Sequence, residues 1–334
     1  MSDAPLLSRV LLIINPAAGS GFKRRKLDRV IQDLKESAGH LELFYTAQAF
    51  DATRLIRGKR KEPWTLLLCA GGDGTINEVI QGWMEGWMEE TSLPTGACPP
   101  PFRLPLGILP TGTWNGLARE IGLPLDPWKA YRRILTGTPT PVFIGQITMR
   151  SASPSPDHRS FTRYFTLLAG AGFDGYVAQR VEQRRGLLKK LPKLGVYFFY
   201  GITGLFTYRY PTFHFVVDGK LSLGTTGVIT KGKMIAGPLT FSPGSDLRSP
   251  SMTLCLVKGK GMIDYLKLFL SFLICKRPGI GIEYLEGKRI EILEGPGEVQ
   301  ADGESLGPLP ALFTSVEKPL YLIYPGLPDK QAND

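Results

Sequence analysis

Trp64-Thr-Leu-Leu-Leu-Cys-Ala-Gly-Gly-Asp-Gly-Thr-Ile-Asn-Glu-Val79 is the stretch on which the fold turns. The apolar run Trp64 to Cys69 has the length and continuity of a strand buried on both faces. Gly71 to Gly74 reads as a loop and Thr75 to Met84 as a helix. The same order recurs on either side. Val10 to Ile14 is apolar, ends at Asn15-Pro16, and precedes the basic amphipathic segment Lys23 to Ser37, in which Leu27, Val30, Ile31 and Leu34 recur at helical spacing. Leu41 to Tyr45 and Asp51 to Lys59 give a strand and a helix; Leu106 to Leu109, Thr111-Gly112 and Asn115 to Ile121 give a strand, a turn and a helix. This alternation predicts a parallel sheet with helices on both faces. Glu89 to Pro105, rich in proline, is expected to be an inserted surface loop.

From about Pro141 the pattern becomes short β-rich runs: Val142 to Met149, Tyr164 to Ala169, Thr212 to Val217, Thr226 to Ile229, Met252 to Val257, Arg289 to Leu293 and Glu298 to Ala301. They predict an antiparallel β domain, interrupted by helical segments at Gly175 to Tyr208 and Gly261 to Cys275. The expected division is an α/β domain over 1–140 and a β-rich domain over 141–314. The strand-like Leu320 to Tyr324, within a tail spanning 315–330, is free to return to the first domain.

Composition narrows the class. With 334 residues, 43% of them hydrophobic, the chain can build a sizeable core, which excludes general disorder. Its four cysteines form no CxxC pair, so no zinc site or redox dithiol is expected, and reduced cytosolic thiols are the simplest account. His40, His158 and His214 lie in unrelated contexts and offer no catalytic triad or metal cluster. No apolar stretch reaches the roughly 18 residues of a membrane span; Leu266 to Cys275 comes nearest. The formal charge of +10 calls for an anionic partner. No nucleic-acid-binding module is recognisable, so nucleic acid is not the expected one.

Three loops follow three expected buried strands: Asn15-Pro-Ala-Ala-Gly-Ser-Gly21, Gly71-Gly-Asp-Gly-Thr-Ile-Asn77 and Pro110-Thr-Gly-Thr-Trp-Asn115. In a parallel sheet they share the carboxyl edge, where ligands bind. Glycine lets backbone N–H groups approach phosphate oxygens, and each loop opens a helix whose N-terminus favours an anion. Thr75 and Thr113 add hydroxyl donors. Neither GxxxxGK[ST] nor a GxGxxG after the first strand is present.

These blocks, with Gly71 to Val79, Gly112 to Arg119 and Asp302-Gly303-Glu304, resemble the diacylglycerol kinase catalytic-domain family, which includes bacterial lipid kinases and sphingosine kinases. Gly-Gly-Asp-Gly-Thr alone is shared with NAD kinases and phosphofructokinase-like folds; its extension through Asn77-Glu78-Val79 is specific. The resemblance implies a Rossmann-like, phosphofructokinase/NAD kinase-like N-terminal domain and an antiparallel β-sandwich C-terminal domain. It implies that Asn15, Pro16, Ala17, Ala18, Gly19, Thr46, Gly71, Gly72, Asp73, Gly74, Thr75, Ile76, Asn77 and Thr113 cradle ATP, with Asp73 organising Mg²⁺ and the phosphates. The alternative reading of Asp73, a residue that caps a tight βα turn, carries less weight. The resemblance further implies that Glu304 is the general base, with Asp302 supporting it; by themselves Asp302-Gly303 read as a hairpin turn.

Two positions depart from the family pattern. Asn115-Gly116 stands where many bacterial members carry Asn-Asp. Ser249-Pro250 stands where they carry the Asp-Gly of a structural magnesium loop, so that site is expected to be lost or altered here, with Asp246 as its remaining candidate ligand. Arg184-Arg-Gly-Leu-Leu-Lys-Lys190 leads into the aromatic run Leu194 to Phe206, and Met262 to Cys275 leads into Lys276-Arg277. Such segments suit an anionic membrane surface, and equally two core helices with solvated ends. The expectation is an ATP- and Mg²⁺-dependent kinase of a diacylglycerol-like or sphingoid-type lipid, cytoplasmic and peripheral on the inner face of the membrane. The alternatives are a NAD kinase-like enzyme and a non-catalytic lipid- or nucleotide-binding protein. The sequence leaves the oligomeric state open.

Overall fold

The computed structural model describes residues 6–59, 61–91, 104–150, 160–184, 193–236, 239–275, 281–293 and 295–325. The chain divides into two compact units, one running to Val142 and resuming at Lys318, the other from Phe143 to Glu317. The first unit runs β1 (Arg9–Ile14), α1 (Gly21–Ser37), β2 (His40–Tyr45), α2 (Asp51–Lys59), β3 (Leu66–Gly71), α3 (Asp73–Thr91), β4 (Leu106–Pro110), α4 (Gly116–Glu120), α5 (Pro127–Leu135) and β5 (Thr138–Val142).

β2, β1, β3 and β4 pair side by side and parallel, as the alternation predicts. Every residue of β3 and β4 is buried, which is why both read as unbroken apolar runs. α1 buries Leu27, Val30 and Leu34 and turns Arg24, Arg25, Arg29 and Lys35 outward. Three features differ from expectation. α3 continues to Thr91, so the proline-rich insertion begins later than Glu89, and residues 92–103 lie outside the described part. α5 is a further helix, started by Asp126, whose carboxylate accepts from the backbone N–H of Lys129 at 3.0 Å, and by Pro127 at its first position. β5 is a strand despite Pro139 and Pro141, because it lies at the sheet edge.

The second unit runs β6 (Gly145–Arg150), β7 (Ser160–Phe165), β8 (Leu168–Ala171), α6 (Phe173–Glu182), α7 (Lys193–Thr207), β9 (Phe213–Val217), β10 (Lys220–Gly224), β11 (Thr226–Thr230), β12 (Met234–Ala236), β13 (Leu239–Thr240), β14 (Met252–Val257), α8 (Met262–Cys275), β15 (Ile282–Gly287), β16 (Arg289–Ile292), β17 (Glu298–Ala301), β18 (Glu304–Pro308) and β19 (Ala311–Ser315). A last strand, β20 (Leu320–Tyr324), belongs to the first unit and lies between β4, to which it is parallel, and β5, to which it is antiparallel. In the second unit two six-stranded sheets form, ordered β10-β9-β16-β19-β6-β7 and β15-β14-β11-β8-β17-β18. Phe165, Phe213, Phe215 and Phe313 of the first sheet share one core with Ile229, Leu254, Leu256 and Val299 of the second. This is the expected antiparallel sandwich. The single helical segment expected over Gly175 to Tyr208 is instead two helices, α6 and α7.

Candidate functional site

In the first unit, parallel pairing sets the loops after β1, β3 and β4 at one edge, and hydrogen bonds tie them to each other. Asn15 donates its backbone N–H to the Ala70 carbonyl at 2.9 Å and its amide N–H to Thr75 Oγ1 at 2.9 Å, and its Oδ1 accepts from the Ala17 N–H at 2.9 Å. The first loop is thereby fixed to β3 and to the first turn of α3. The Gly71 carbonyl accepts from Thr111 and Gly112 at 3.1 and 3.2 Å, joining the second loop to the third. The approach is closest at the glycines: a Cβ on Gly112 would overlap the Cα of Gly72, and one on Gly71 would meet Thr75 Cβ at 2.5 Å. Thr46 is buried beside the first loop, donating its backbone N–H to the Ile14 carbonyl at 2.9 Å.

The first turn of α3, beginning at Asp73, presents N–H groups without intrahelical acceptors. Asp73 Oδ1 accepts from the Leu117 N–H at 3.3 Å, so the side chain links the starts of α3 and α4. Gly74 and Thr113 are exposed, while Ile76 and Thr75 are buried beneath the loop. Two buried oxygens, Thr111 Oγ1 and Asn115 Oδ1, have no hydrogen-bond partner. Asn115 takes a left-handed backbone (φ 53°) that aims its amide N–H at the Gly112 carbonyl, 2.7 Å away.

Lys23 is absent from the residues expected here, yet its ammonium donates to the Gly112 carbonyl at 2.6 Å. Burial, and next the charge of Arg119, hold its pKa below the ordinary lysine range. One sequence signal pointed to it: α1 opens with Lys23 and Arg24 and no acidic residue, the wrong sign for a helix N-terminus unless an anion comes to it.

In the second unit Asp302 and Gly303, at φ 44° and 82°, form a two-residue turn between β17 and β18 that places Glu304 opposite Ala301. The Asp302 carboxylate is fully engaged. Its Oδ2 accepts from the Thr166 N–H at 2.8 Å and the Thr166 hydroxyl at 3.2 Å, and its Oδ1 accepts from the Leu167 and Leu168 N–H groups at 3.0 and 3.1 Å. Burial pushes this carboxyl upward, and the four donors, which bond the ionised form, work against that push.

Glu304, by contrast, is exposed and forms an ion pair with Arg163 at 2.7 Å. The turn beneath it is gripped from two more sides. Tyr197 donates to the Gly303 carbonyl at 2.6 Å, and Gln300 Oε1 accepts from the Gly303 N–H at 2.9 Å. The amide of Gln300 donates in turn to Asp174, whose carboxyl burial pushes up to about 6. Arg163, Tyr197, Gln300 and Asp174 carry no sequence signal, since each gains its place only through non-local strand and helix packing.

Asp246 lies elsewhere in the second unit, bonded to Arg248: the Arg248 Nε is 3.0 Å from both carboxylate oxygens, and a terminal guanidinium nitrogen is 2.6 Å from Oδ2. Among the described residues no group of three or more His, Cys, Asp and Glu side chains could hold a metal. Arg185, Lys189 and Lys190, like Lys276 and Arg277, lie outside the described residues. No described helix is long and apolar enough to cross a membrane.

Residues 9–147 match the family profile of the diacylglycerol kinase catalytic domain. The chain is 25% identical to a diacylglycerol kinase of Bacillus subtilis over 98% of its own length and 100% of that protein's. Its fold resembles the crystal structure of a diacylglycerol kinase from Bacillus anthracis, with a TM-score of 0.65 at 21% identity over 95% of this chain and 97% of that one. A yeast NADH kinase complexed with NADH gives a TM-score of 0.50 at 13% identity, covering 97% of this chain and 85% of that one. At such identities the two structures speak to the fold.

Proposed function

We propose that the chain, residues 9–147 of which match the profile of the diacylglycerol kinase catalytic domain, transfers the γ-phosphate of ATP to the hydroxyl of a diacylglycerol-like or sphingoid-type lipid. The observation that carries this reading is the meeting of three glycine-bearing loops at one edge of a parallel sheet, with backbone against backbone at Gly72 and Gly112. The loops fit a polyphosphate: helix-start N–H groups, the Lys23 ammonium, and a cradle that a single Cβ would fill. They also fit a magnesium ion in the manner usual for nucleotide sites, where one or two carboxylates suffice because phosphate oxygens complete the shell; Asp73 is the candidate. Such an ion would supply charge neutralisation.

Phosphoryl transfer asks for positioning and electrostatics. In the proposed reaction Glu304 accepts the proton of the acceptor hydroxyl, whose oxygen bonds to the γ-phosphorus while the bond to the bridging oxygen breaks and ADP leaves. Arg163 orients the Glu304 carboxylate, and the caged Asp302 fixes the turn that carries it. Transfer from radiolabelled ATP to a panel of diacylglycerols, sphingoid bases and NAD tests the reading. Labelled lipid that disappears with Asp73→Ala supports it. Labelled NAD, or nucleotide binding without transfer, would replace it with one of the two alternatives.

Lys23 gives a sharper expectation. A hydrogen bond to a charged group contributes about 1.5–3 kcal/mol, so Lys23→Met should weaken ATP binding roughly 10- to 100-fold while leaving adenosine binding unchanged, as read by calorimetric titration. Unaltered ATP affinity would remove Lys23 from the site.

The lipid acceptor resides in a bilayer, and the proposed contact is the apolar face of α7 and α8. Phe206 is 71% exposed, Ile263 63% and Ile274 78%, and Phe198 of α7 packs on Phe269 of α8 with ring centroids 5.8 Å apart. Lys260 and Lys267 are exposed beside these residues. Exposed apolar side chains flanked by lysine suit an anionic surface. Ile263→Asp with Ile274→Asp should cut co-sedimentation with anionic vesicles severalfold at unchanged melting temperature; unchanged binding would move the membrane face elsewhere.

A further inference from the structure

Lys231, directly after β11, is a cation in the interior of the second unit, only 1% exposed. Its ammonium donates to the carbonyls of Ser249 and Ser251 at 2.6 and 2.8 Å and lies 3.5 Å from the hydroxyl of Ser315. Burial lowers its pKa to about 8, and the charge of Asp246 works in the opposite direction. The carbonyls it binds belong to the loop at which the family resemblance implies a magnesium ion.

That loop does not fit one. Asp246, its candidate carboxylate, already holds the Arg248 guanidinium and accepts from the Arg248 backbone N–H at 2.9 Å. The polar cavity lined by Thr230, Ser245, Asp246, Ser249, Ser251 and Glu286 measures about 10 Å³, space for a single water at most. Magnesium demands octahedral oxygen coordination and keeps several of its waters. A divalent ion would also face the Lys231 ammonium, and Glu286, the lining's other carboxylate, already accepts from the Ser251 hydroxyl. A lysine ammonium carries one charge and three donors and needs no hydration shell once carbonyls receive them.

We infer that the Lys231 ammonium serves as this loop's own cation in place of a divalent metal, so that the second unit folds and holds the loop without one. The consequence reaches the Glu304 turn. The backbone N–H groups of Lys231 and Gly232 donate to the Leu167 carbonyl at 2.8 and 3.2 Å, and Leu167 in turn donates to Asp302. One residue therefore ties the Ser249–Ser251 loop to the segment that cages Asp302.

The test uses the whole chain, without nucleotide, so that no phosphate-bound ion contributes. Protein stripped with EDTA and desalted should melt within about a degree of the same protein in excess Mg²⁺, and metal analysis of the untreated protein should find no stoichiometric divalent ion. A melting temperature several degrees higher in Mg²⁺, or one tightly bound metal per chain, would overturn the inference. Lys231→Met, which takes the ammonium donor from the Ser249 and Ser251 carbonyls, should lower the melting temperature by several degrees and speed amide exchange across the Ser249–Ser251 loop; a variant matching the parent in both would equally overturn it. Should that variant fail to fold, the metal comparison on the unmodified protein decides alone.

Discussion

Replacing Gly112 by alanine is expected to abolish nucleotide binding and lower turnover by about 10²-fold or more, the scale on which a displacement of roughly 1 Å is felt in a preorganised site. The added Cβ would overlap the Cα of Gly72 and come within 2.9 Å of Asn115 Oδ1 and 3.1 Å of the Gly72 nitrogen. A clash with a side chain can be relieved by a rotamer change. Here the principal neighbour is backbone, itself bound through the Gly71 carbonyl to Thr111 and Gly112, so the second and third loops must part. Overpacking of this kind costs about 1–3 kcal/mol, affordable for the fold as a whole but not for a site built from that contact. Gly58→Ala, in α2 and outside the three loops, is the control: nothing lies within 4 Å of its added Cβ, and it should bind nucleotide as the parent does. The measurement is titration with ATP, with a thermal melt to show that the variant folds. Parental affinity in Gly112→Ala would mean that phosphate does not sit where these loops meet.

How far the sequence could carry the fold depended on whether a signal was local. β1, β3 and β4 were legible because burial on both faces demands a continuous apolar run. The glycine loops were legible because close backbone approach demands glycine, and the contact of Gly72 with Gly112 gives that demand its geometry. β5 was not legible: Thr-Pro-Thr-Pro-Val argues against a strand, and only its edge position, fixed by pairing with β20 across much of the chain, makes it one. Asp126-Pro127 was a readable helix start that periodicity alone passed over.

The Asp-Gly dipeptides show the limit most clearly. Asp218-Gly219 and Asp302-Gly303 both form two-residue turns at positive φ. The Asp218 carboxylate accepts from the exposed N–H groups of Lys288 and Arg289, whereas Asp302 accepts four hydrogen bonds from Thr166 to Leu168. Two residues of sequence cannot distinguish them; the partners, more than 130 positions away from Asp302, can.

That difference predicts opposite outcomes for neighbouring substitutions. Asp302→Ala removes the acceptor from three backbone N–H groups and a hydroxyl, and a buried donor left without a partner costs about 1–3 kcal/mol. Allowing for relaxation and water entry, a loss on the order of 3–5 kcal/mol is expected, a large fraction of the roughly 5–15 kcal/mol that holds a typical domain together. Turnover should fall with stability, because the turn carrying Glu304 loosens. Glu304→Gln removes only a half-exposed ion pair with Arg163, which contributes about 1 kcal/mol or less. Its melting temperature should stay near the parent's while phosphoryl transfer falls about 10²- to 10⁴-fold, the usual contribution of a positioned general base. Paired melts and transfer assays separate the two effects. Transfer that survives Glu304→Gln would require the proton to go elsewhere, and Asp302, with both oxygens committed, could take that role only by giving up the hydrogen bonds that hold its turn.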